Sequence, residues 1–261
     1  MPPIVLLGKF PLKRTAGTAG VPPALNANKI PCKQANLTFF TSAGNPTLGQ
    51  LVSSNMSLIK DRHQDELRAA GWHSRGYLPH FDGIVLPQFI TFHLADSMPR
   101  KVIERWQEEL KFAQDKQQRL LLVRRVEKYL DQGYGELLLK DKRVAGMVQN
   151  SLLKFDGLRY RLFAWVVMPN HVHSLMTRFE EFELKDLLHS LKSYTAHEAN
   201  KILQREGKFW IDDYFDRYIR NEKHFYKTVE YIENNPVKAG LCAKPSDWPF
   251  SSAWFRKFKH E

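Results

Sequence analysis

The chain has 261 residues, 43% of them hydrophobic, which is enough for one large or two small domains with a substantial core. Its formal net charge of +11 favours a polyanionic partner, nucleic acid before an acidic membrane surface. Only two cysteines are present, and no apolar run approaches membrane-spanning length. These features argue against a disulfide framework, a zinc ribbon and a membrane partner, and we expect a soluble, cytoplasmic protein.

The first 68 residues differ from the rest of the chain. Residues 1–49 have scattered Pro, Gly, Ala, Thr and Asn, no sustained strand or helix period, and almost exclusively basic charges. We predict a largely disordered extension over residues 1–68, with a short helix near residues 51–68. A folded domain is expected over residues 69–261, with a helical insertion at about residues 97–156.

The folded domain is predicted to begin with a strand and three helices. Residues 89–94 alternate as a strand does, with Thr91 and His93 on one face and apolar side chains on the other. Asp96 or Ser97 is expected to cap the first helix. Helical spacing of apolar residues predicts helices over residues 97–112, 116–130 and 142–156.

A β-hairpin is predicted around a Pro-Asn turn. A β-branched apolar run ends at Met168, the turn follows, and a second strand begins at His171. Alternate side chains of a strand share a face, so His171 and His173 point the same way. Two imidazoles at this spacing can bind one metal ion, although two polar side chains on the wet face of a strand would give the same pattern.

A helix, a strand segment and a last helix complete the predicted domain. The amphipathic helix covers residues 184–203 and has a basic exposed face that includes Lys192. Residues 209–220 predict a strand or hairpin, and the last helix begins after Asn221. That helix is expected to end before Pro236, because a residue that precedes proline is disfavoured in the helical region.

Tyr231 and Asn235 lie four residues apart on the last predicted helix, on a stripe that flanks its core face. A tyrosine there is usually an amphipathic residue at the edge of a core. The sharper interpretation makes Tyr231 a nucleophile and Asn235 an oxygen ligand to a metal held by His171 and His173. A mixed imidazole and oxygen site suits Mg²⁺ or Mn²⁺.

Two motifs resemble a known family. The first is the Trp-Val-Val-Met-Pro-Asn-His-Val-His run at residues 165–173, and the second is the Tyr-Ile-Glu-Asn-Asn-Pro-Val-Lys-Ala-Gly-Leu run at residues 231–241. In that order, with a basic helix between them, they resemble the REP-associated tyrosine transposases. These are single-tyrosine HUH endonucleases, in which U stands for a large apolar residue. The resemblance extends over residues 70–255.

The resemblance implies a ferredoxin-like α+β fold, in which an antiparallel sheet with packed helices presents the histidines to the tyrosine helix. It also implies cleavage and rejoining of single-stranded DNA, usually at REP-like palindromic hairpins beside the gene, and hence a place at the nucleoid. His171, His173 and Asn235 would be ligands of Mg²⁺ or Mn²⁺. Tyr231 would attack the scissile phosphate to give a 5′-phosphotyrosine and a free 3′-hydroxyl. Whether the protein is a monomer or a homodimer stays open.

Other aromatic and basic residues are candidates for DNA contact. Unpaired bases stack on aromatic side chains, and phosphates bind cations. Solvated basic side chains around an aromatic core would give the same sequence pattern. The candidates are Trp72, His73, Arg75, Tyr77, His80, Lys192, Arg217, Arg220 and Lys227, the last of which lies one turn before Tyr231.

Other functions fit part of the pattern. A metallo-β-lactamase-like hydrolase would need His-x-His-x-Asp-His, whereas Ser174, Leu175 and Met176 follow the pair here. An amidohydrolase would need a larger barrel than this chain allows. A domesticated protein that binds hairpin DNA or RNA without cutting it stays open. The rival nucleophiles lie outside the second motif or on another side of its helix, and they are Tyr194, Tyr214, Tyr218 and Tyr226.

Overall fold

The computed structural model describes residues 72–74, 79–81, 86–112 and 115–259. The predicted extension over residues 1–68 lies outside the described residues. The strands are β1 (Trp72–Ser74), β2 (Pro79–Phe81), β3 (Gln88–His93), β4 (Tyr160–Val167), β5 (His171–Arg178) and β6 (Phe215–Tyr218). The helices are α1 (Arg100–Leu110), α2 (Asp115–Leu130), α3 (Lys142–Leu153), α4 (Leu184–Ile202), α5 (Glu222–Lys238) and α6 (Ser252–Lys259).

A four-stranded sheet is the frame of the domain. Its strand order is β4-β5-β3-β6, and every pairing within it is antiparallel. The chain visits these strands as β3, then the β4–β5 hairpin, then β6, with helices at both crossovers, which is the β-α-β-β-α-β arrangement. The predicted ferredoxin-like α+β fold is therefore confirmed. Strands β1 and β2 pair separately as a short antiparallel hairpin.

The two faces of the sheet bury different helices. Phe92 of β3 and Val172 of β5 share one core with α3 and α4. Leu175 of β5 points to the opposite face and shares a second core with Phe225 and Ile232 of α5. Strand β5 is consequently buried along its whole length, so any polar side chain on it is enclosed by protein.

Capping residues explain why two helices begin where the sequence predicts. The Asp141 carboxylate accepts a hydrogen bond from the backbone N–H of Arg143 at the start of α3, at 2.9 Å. Asn221 does the same for the N–H of His224 at the start of α5, also at 2.9 Å. Such caps satisfy helix N–H groups that have no intrahelical partner. None of the described helices combines the length and hydropathy that crossing a bilayer requires.

Two predicted helix ends are wrong. The N-cap of α1 is Pro99, and the Ser97 hydroxyl instead donates to the carbonyl of Leu94 at 2.8 Å. Helix α5 also continues through Pro236 to Lys238. A proline in the last turn removes one backbone hydrogen bond, and here tertiary packing outweighs that local cost because Asn235 and Pro236 are both buried.

The predicted exposure of Lys192 on α4 is also wrong. This side chain is 9% exposed, and its ammonium donates to the backbone carbonyls of Asp212 at 2.7 Å and Asp213 at 3.0 Å. Burial lowers the pKa of Lys192 to about 8. Helical periodicity places Lys192 at the edge of the apolar stripe, and its long stem lets the ammonium reach carbonyl groups of another segment.

A buried histidine joins the β1–β2 hairpin to the main sheet. His80 of β2 is 1% exposed and lies between two carboxylates, with Nδ1 2.7 Å from Asp216 and Nε2 2.8 Å from Asp213. Burial opposes the charged imidazolium, but these two hydrogen bonds outweigh it and raise the pKa of His80 to about 9. His80 is therefore a structural cation near neutral pH.

The His80 contact predicts a loss of stability at alkaline pH. Because the folded-state pKa is raised, the stabilisation is complete below pH 6.5 and is lost as the pH rises through about 9. The stabilisation of the folded state by protonated His80 should amount to about 2–3 kcal/mol. We expect the urea midpoint to fall between pH 7 and 10, and to vary much less in His80→Gln. The exposed His197→Gln is the control and should behave as the unmodified chain; equal pH slopes in all three proteins would contradict this role.

Candidate metal centre and nucleophile

His171 and His173 lie side by side on β5, as the strand period predicts. Both are fully buried, and their Nε2 atoms are 3.1 Å apart. Burial lowers the pKa of His171 well below its ordinary value, and burial with the charge of Arg217 lowers that of His173 to about 3. Both imidazoles are therefore neutral near pH 7, as metal ligands must be.

The other ring nitrogen of each histidine is held by a neighbouring oxygen. Nδ1 of His171 is 2.7 Å from Oδ1 of Asn170, and Nδ1 of His173 is 2.7 Å from the hydroxyl of Thr91 on β3. An amide oxygen only accepts, so His171 donates from Nδ1 and keeps a lone pair on Nε2. A hydroxyl can donate or accept, so Thr91 permits His173 to take the same tautomer. Partners of this kind orient metal-binding histidines.

Removing the Thr91 hydroxyl is expected to weaken metal binding. Thr91→Val leaves Nδ1 of His173 without its oxygen partner, and the loss of such a partner typically lowers metal affinity by about 10–100-fold. Isothermal titration calorimetry with Mn²⁺ measures the change in metal affinity. Thr177→Val is a matched control, because the Thr177 hydroxyl is buried on β5 without a hydrogen-bond partner among the described residues. Equal affinities in the two variants would contradict the role of Thr91.

Two oxygen-bearing side chains lie beside the histidine pair. Asp131, which directly follows α2, places a carboxylate oxygen 3.9 Å from Nε2 of His171. The potential ligand atoms of Asp131, His171 and His173 all lie within 4.8 Å of one another. The amide of Asn235 on α5 donates from Nδ2 to Asp131 at 3.1 Å. Because a carboxylate only accepts, this contact directs Oδ1 of Asn235 away from Asp131.

Oδ1 of Asn235 is itself available as a donor atom. It is buried and has no hydrogen-bond partner within the described ranges. A buried acceptor without a partner is costly unless another group or ion satisfies it. The sequence predicts Asn235 at this place, whereas Asp131 is a ligand candidate that sequence reasoning missed, because no local motif connects it with β5.

Tyr231 lies one helical turn before Asn235 on α5. Its ring packs against side chains of β5 and β3. Its ring centre is 5.5 Å from that of His173, and 5.8 Å from that of Phe89 in an edge-to-face contact. The Nζ atom of Lys238 lies 4.7 Å from the ring centre. Burial raises the pKa of Tyr231 well above its ordinary value, and the charges of Glu127 and Asp131 raise it further. The charge of Arg217 and the amide of Asn235 oppose that rise.

A third buried histidine lies next to the pair and was not predicted as part of the site. His93 of β3 pairs with His171 across the strands and is fully buried. Its Nδ1 is 2.9 Å from both the carbonyl of Leu94 and the hydroxyl of Ser97. Burial lowers the pKa of His93 to about 4. The alternation of strand residues already predicted that His93 lies on the same face as Thr91. This was the sequence signal that could have placed His93 at the site.

The predicted DNA-contact residues fall in several environments. The guanidinium of Arg217 lies 5.3 Å from the ring centre of Phe89, next to Tyr231. Arg220 and Lys227 are exposed, whereas Lys192 and His80 are buried in the contacts described above. Trp72 lies in β1, and Arg75 and Tyr77 lie outside the described residues. The structure thus brings Arg217 to the side of the tyrosine.

Known proteins resemble the part of the chain that carries this site. Residues 141–235, which contain both histidines, Tyr231 and Asn235, match the family model described as "Transposase IS200 like". A REP-associated tyrosine transposase of Escherichia coli (strain K12) is 32% identical over 108 residues, which cover 41% of this chain and 62% of that protein. Over this part of its length, the chain is similar to the REP-associated tyrosine transposases. The predicted resemblance is confirmed.

Two further proteins match parts of the chain. A putative REP-associated tyrosine transposase of Haemophilus influenzae is 29% identical over 103 residues, which cover 36% of this chain and 58% of that protein. The chain therefore spans about three fifths of the length of these curated relatives. A solved structure described as a REP-associated tyrosine transposase bound to a REP hairpin has a TM-score of 0.44 and 22% identity, and the match covers 69% of this chain and 81% of that one.

Proposed function

We propose that this transposase relative is a metal-dependent endonuclease and strand transferase that acts on single-stranded DNA at hairpins. The observation that supports it most is the position of Tyr231, whose ring packs against His173 while the same helix brings Asn235 to Asp131. A potential nucleophile and a set of metal ligands thus share one buried site. The names of the relatives agree with a transposase.

The donor atoms at the site fit a divalent cation. His171 and His173 would offer Nε2, Asp131 a carboxylate oxygen, and Asn235 its amide Oδ1, which has no hydrogen-bond partner in the described part of the chain. Imidazole and oxygen ligands together suit Mg²⁺ or Mn²⁺. Such an ion polarises a phosphate oxygen and offsets the charge that develops during attack.

In the proposed reaction, the Tyr231 oxygen attacks the scissile phosphorus and the bond to the 3′-oxygen breaks. The products are a 5′-phosphotyrosine and a free 3′-hydroxyl. A covalent intermediate preserves the phosphodiester bond energy, so that a second 3′-hydroxyl can be joined without a further energy source. Because the pKa of Tyr231 is raised by burial and by nearby carboxylates, its phenol requires a proton acceptor or a cation at the moment of attack.

Cations around the site are suited to the phosphates of the strand. We propose that three cations hold DNA phosphates: Arg217 beside Tyr231, and the exposed Arg220 and Lys227. DNA would then be the polyanionic partner expected from the net charge of +11. Helices α1 and α2 stand between β3 and α3, within the predicted insertion over residues 97–156. We propose that this insertion forms one wall of the site, because Asp131 follows α2 directly.

The direct test uses labelled single-stranded hairpin DNA from the flanks of the gene. The purified protein is incubated with it in Mn²⁺ or Mg²⁺, or in EDTA, and the products are separated on a denaturing gel. We expect a covalent protein–DNA band and a shorter strand with a free 3′-hydroxyl, both only with metal. If the protein binds the flanking hairpins but cleaves none of them, the result would contradict the proposal. It would favour a domesticated regulator that binds DNA or RNA.

A further inference from the structure

A half-buried glutamate on α2 is not used by the metal site. Glu127 lies one turn before Asp131, and its Oε1 atom is buried without a hydrogen-bond partner among the described residues. A buried carboxyl oxygen without a partner is costly to maintain. It also lies before residues 141–235, so the matched family segment does not include it.

Helix geometry places Glu127 on the side of α2 that carries the contact with α5. Residues four apart share one stripe of a helix, so Glu127 and Asp131 line one side of α2, and Tyr231 and Asn235 line one side of α5. The two stripes meet, because Asn235 donates to Asp131 at 3.1 Å. The Tyr231 hydroxyl is also buried and makes no well-formed hydrogen bond within the described ranges.

A cation lies with these two groups. Arg217 of β6 has a buried Nε without a hydrogen-bond partner in the described part of the chain. Its charge lowers the pKa of both Glu127 and Tyr231, and Glu127 is the charged group that raises the pKa of Tyr231 most. Asp131 raises the pKa of Glu127, while Arg124 of α2 and Lys238 of α5 lower it. The Glu127 carboxyl, the Arg217 guanidinium and the Tyr231 phenol therefore lie close enough to act on one another electrostatically, and each has a buried polar atom without a hydrogen-bond partner among the described residues.

We propose that Glu127 is the proton acceptor for Tyr231 when the tyrosine attacks the DNA phosphate, an inference that rests on the proposed function. The phenol O–H bond breaks and its proton moves to the Glu127 carboxylate. The phenolate oxygen forms the bond to phosphorus, and the 3′-oxygen leaves with its electron pair and takes a proton from water. During rejoining, the incoming 3′-hydroxyl loses its proton to water and its oxygen forms the bond to phosphorus. Protonated Glu127 returns its proton to the phenolate oxygen as the bond between phosphorus and tyrosine breaks.

Glu127 suits this task better than its neighbours. Burial raises its pKa to about 7, so that near neutral pH it can both accept and return a proton. Asp131 is already bonded to Asn235 and belongs to the metal cluster. Lys238 and Arg217 are cations, which can stabilise a phenolate but cannot accept its proton.

The test compares the rate of covalent complex formation in single turnovers from pH 5.5 to 9. For the unmodified chain we expect the rate to rise with pH and level off above pH 7, as Glu127 ionises. Glu127→Gln keeps the shape of the side chain and should lower the rate at neutral pH by about 10²–10⁴-fold, with loss of this inflection. Glu127→Asp should keep the inflection with a smaller loss of rate.

Controls separate this role from structure and from metal binding. Glu230→Gln makes the same change on the exposed side of α5 and should leave the rate and its pH profile unchanged. Circular dichroism and Mn²⁺ titration should give the same fold and affinity for Glu127→Gln as for the unmodified chain. An unchanged pH profile in Glu127→Gln, or a loss of rate matched by a loss of Mn²⁺ affinity, would overturn the inference alone. No covalent complex with the unmodified chain would overturn the proposed function, and the inference with it.

Discussion

Replacing Tyr231 by phenylalanine is expected to abolish covalent attachment to DNA, with a loss of at least about 10³-fold, as for other nucleophiles removed from active sites. The ring still packs between His173 and Phe89, so the fold and the metal ligands stay in place. The hydroxyl makes no well-formed hydrogen bond within the described residues, so its removal should leave the melting temperature equal or higher. Denaturing gels and a thermal melt measure the two effects.

Tyr226→Phe is the matched control for this experiment. Tyr226 lies on the same helix, is 39% exposed and does not face the histidine pair. We expect covalent attachment at the unmodified rate in this variant. Attachment that persists in Tyr231→Phe would show that another residue is the nucleophile and that the site assignment is wrong.

Replacing His173 by leucine is expected to remove metal binding, with at least about a 100-fold loss of Mn²⁺ affinity. Losing a residue that only hydrogen-bonds to a metal ligand typically lowers affinity by roughly 10–100-fold, and losing the ligand itself should cost more. The histidine is neutral and fully buried, so an apolar side chain of similar size is compatible with its surroundings. DNA cleavage should fall to background, whereas hairpin binding through cations should persist. Calorimetric titration and a filter-binding assay measure the two quantities.

The exposed His197→Leu on α4 is the control, and its Mn²⁺ affinity should equal that of the unmodified chain. A further signature is the thermal stabilisation that Mn²⁺ confers on a protein that binds it only when folded. This shift should be present in His197→Leu and absent in His173→Leu. A normal shift in His173→Leu would show that the metal binds elsewhere.

The parts of the site that depend on local pattern were predicted from the sequence. His171 and His173 share a face because successive side chains of a strand point to opposite faces. Tyr231 and Asn235 share a stripe because residues four apart lie on the same side of a helix. The hairpin and the strand of Thr91 were equally visible, since each lies in a short apolar run that ends at a turn. The ferredoxin-like order followed from the family resemblance.

The parts that depend on tertiary packing were not predicted. Asp131 and Glu127 reach the site because α2 ends beside α5, and helical periodicity does not show which helix ends meet. Lys192 was expected in solvent, yet it is buried because carbonyl groups of Asp212 and Asp213 lie within reach of its ammonium. The contact of His80 with Asp213 and Asp216 likewise joins segments distant in sequence.

The central claim is that Tyr231 becomes joined to the 5′ end of the cleaved DNA. Mass spectrometry of the covalent complex, after digestion with trypsin and a nuclease, tests it most directly. Cleavage after Lys227 and Lys238 releases Tyr231 as the single tyrosine of its peptide, while Tyr194, Tyr214, Tyr218 and Tyr226 fall in other peptides. We expect a nucleotide 5′-phosphate on the peptide of residues 228–238. The same adduct on any other tyrosine peptide, with that peptide unmodified, would contradict the account.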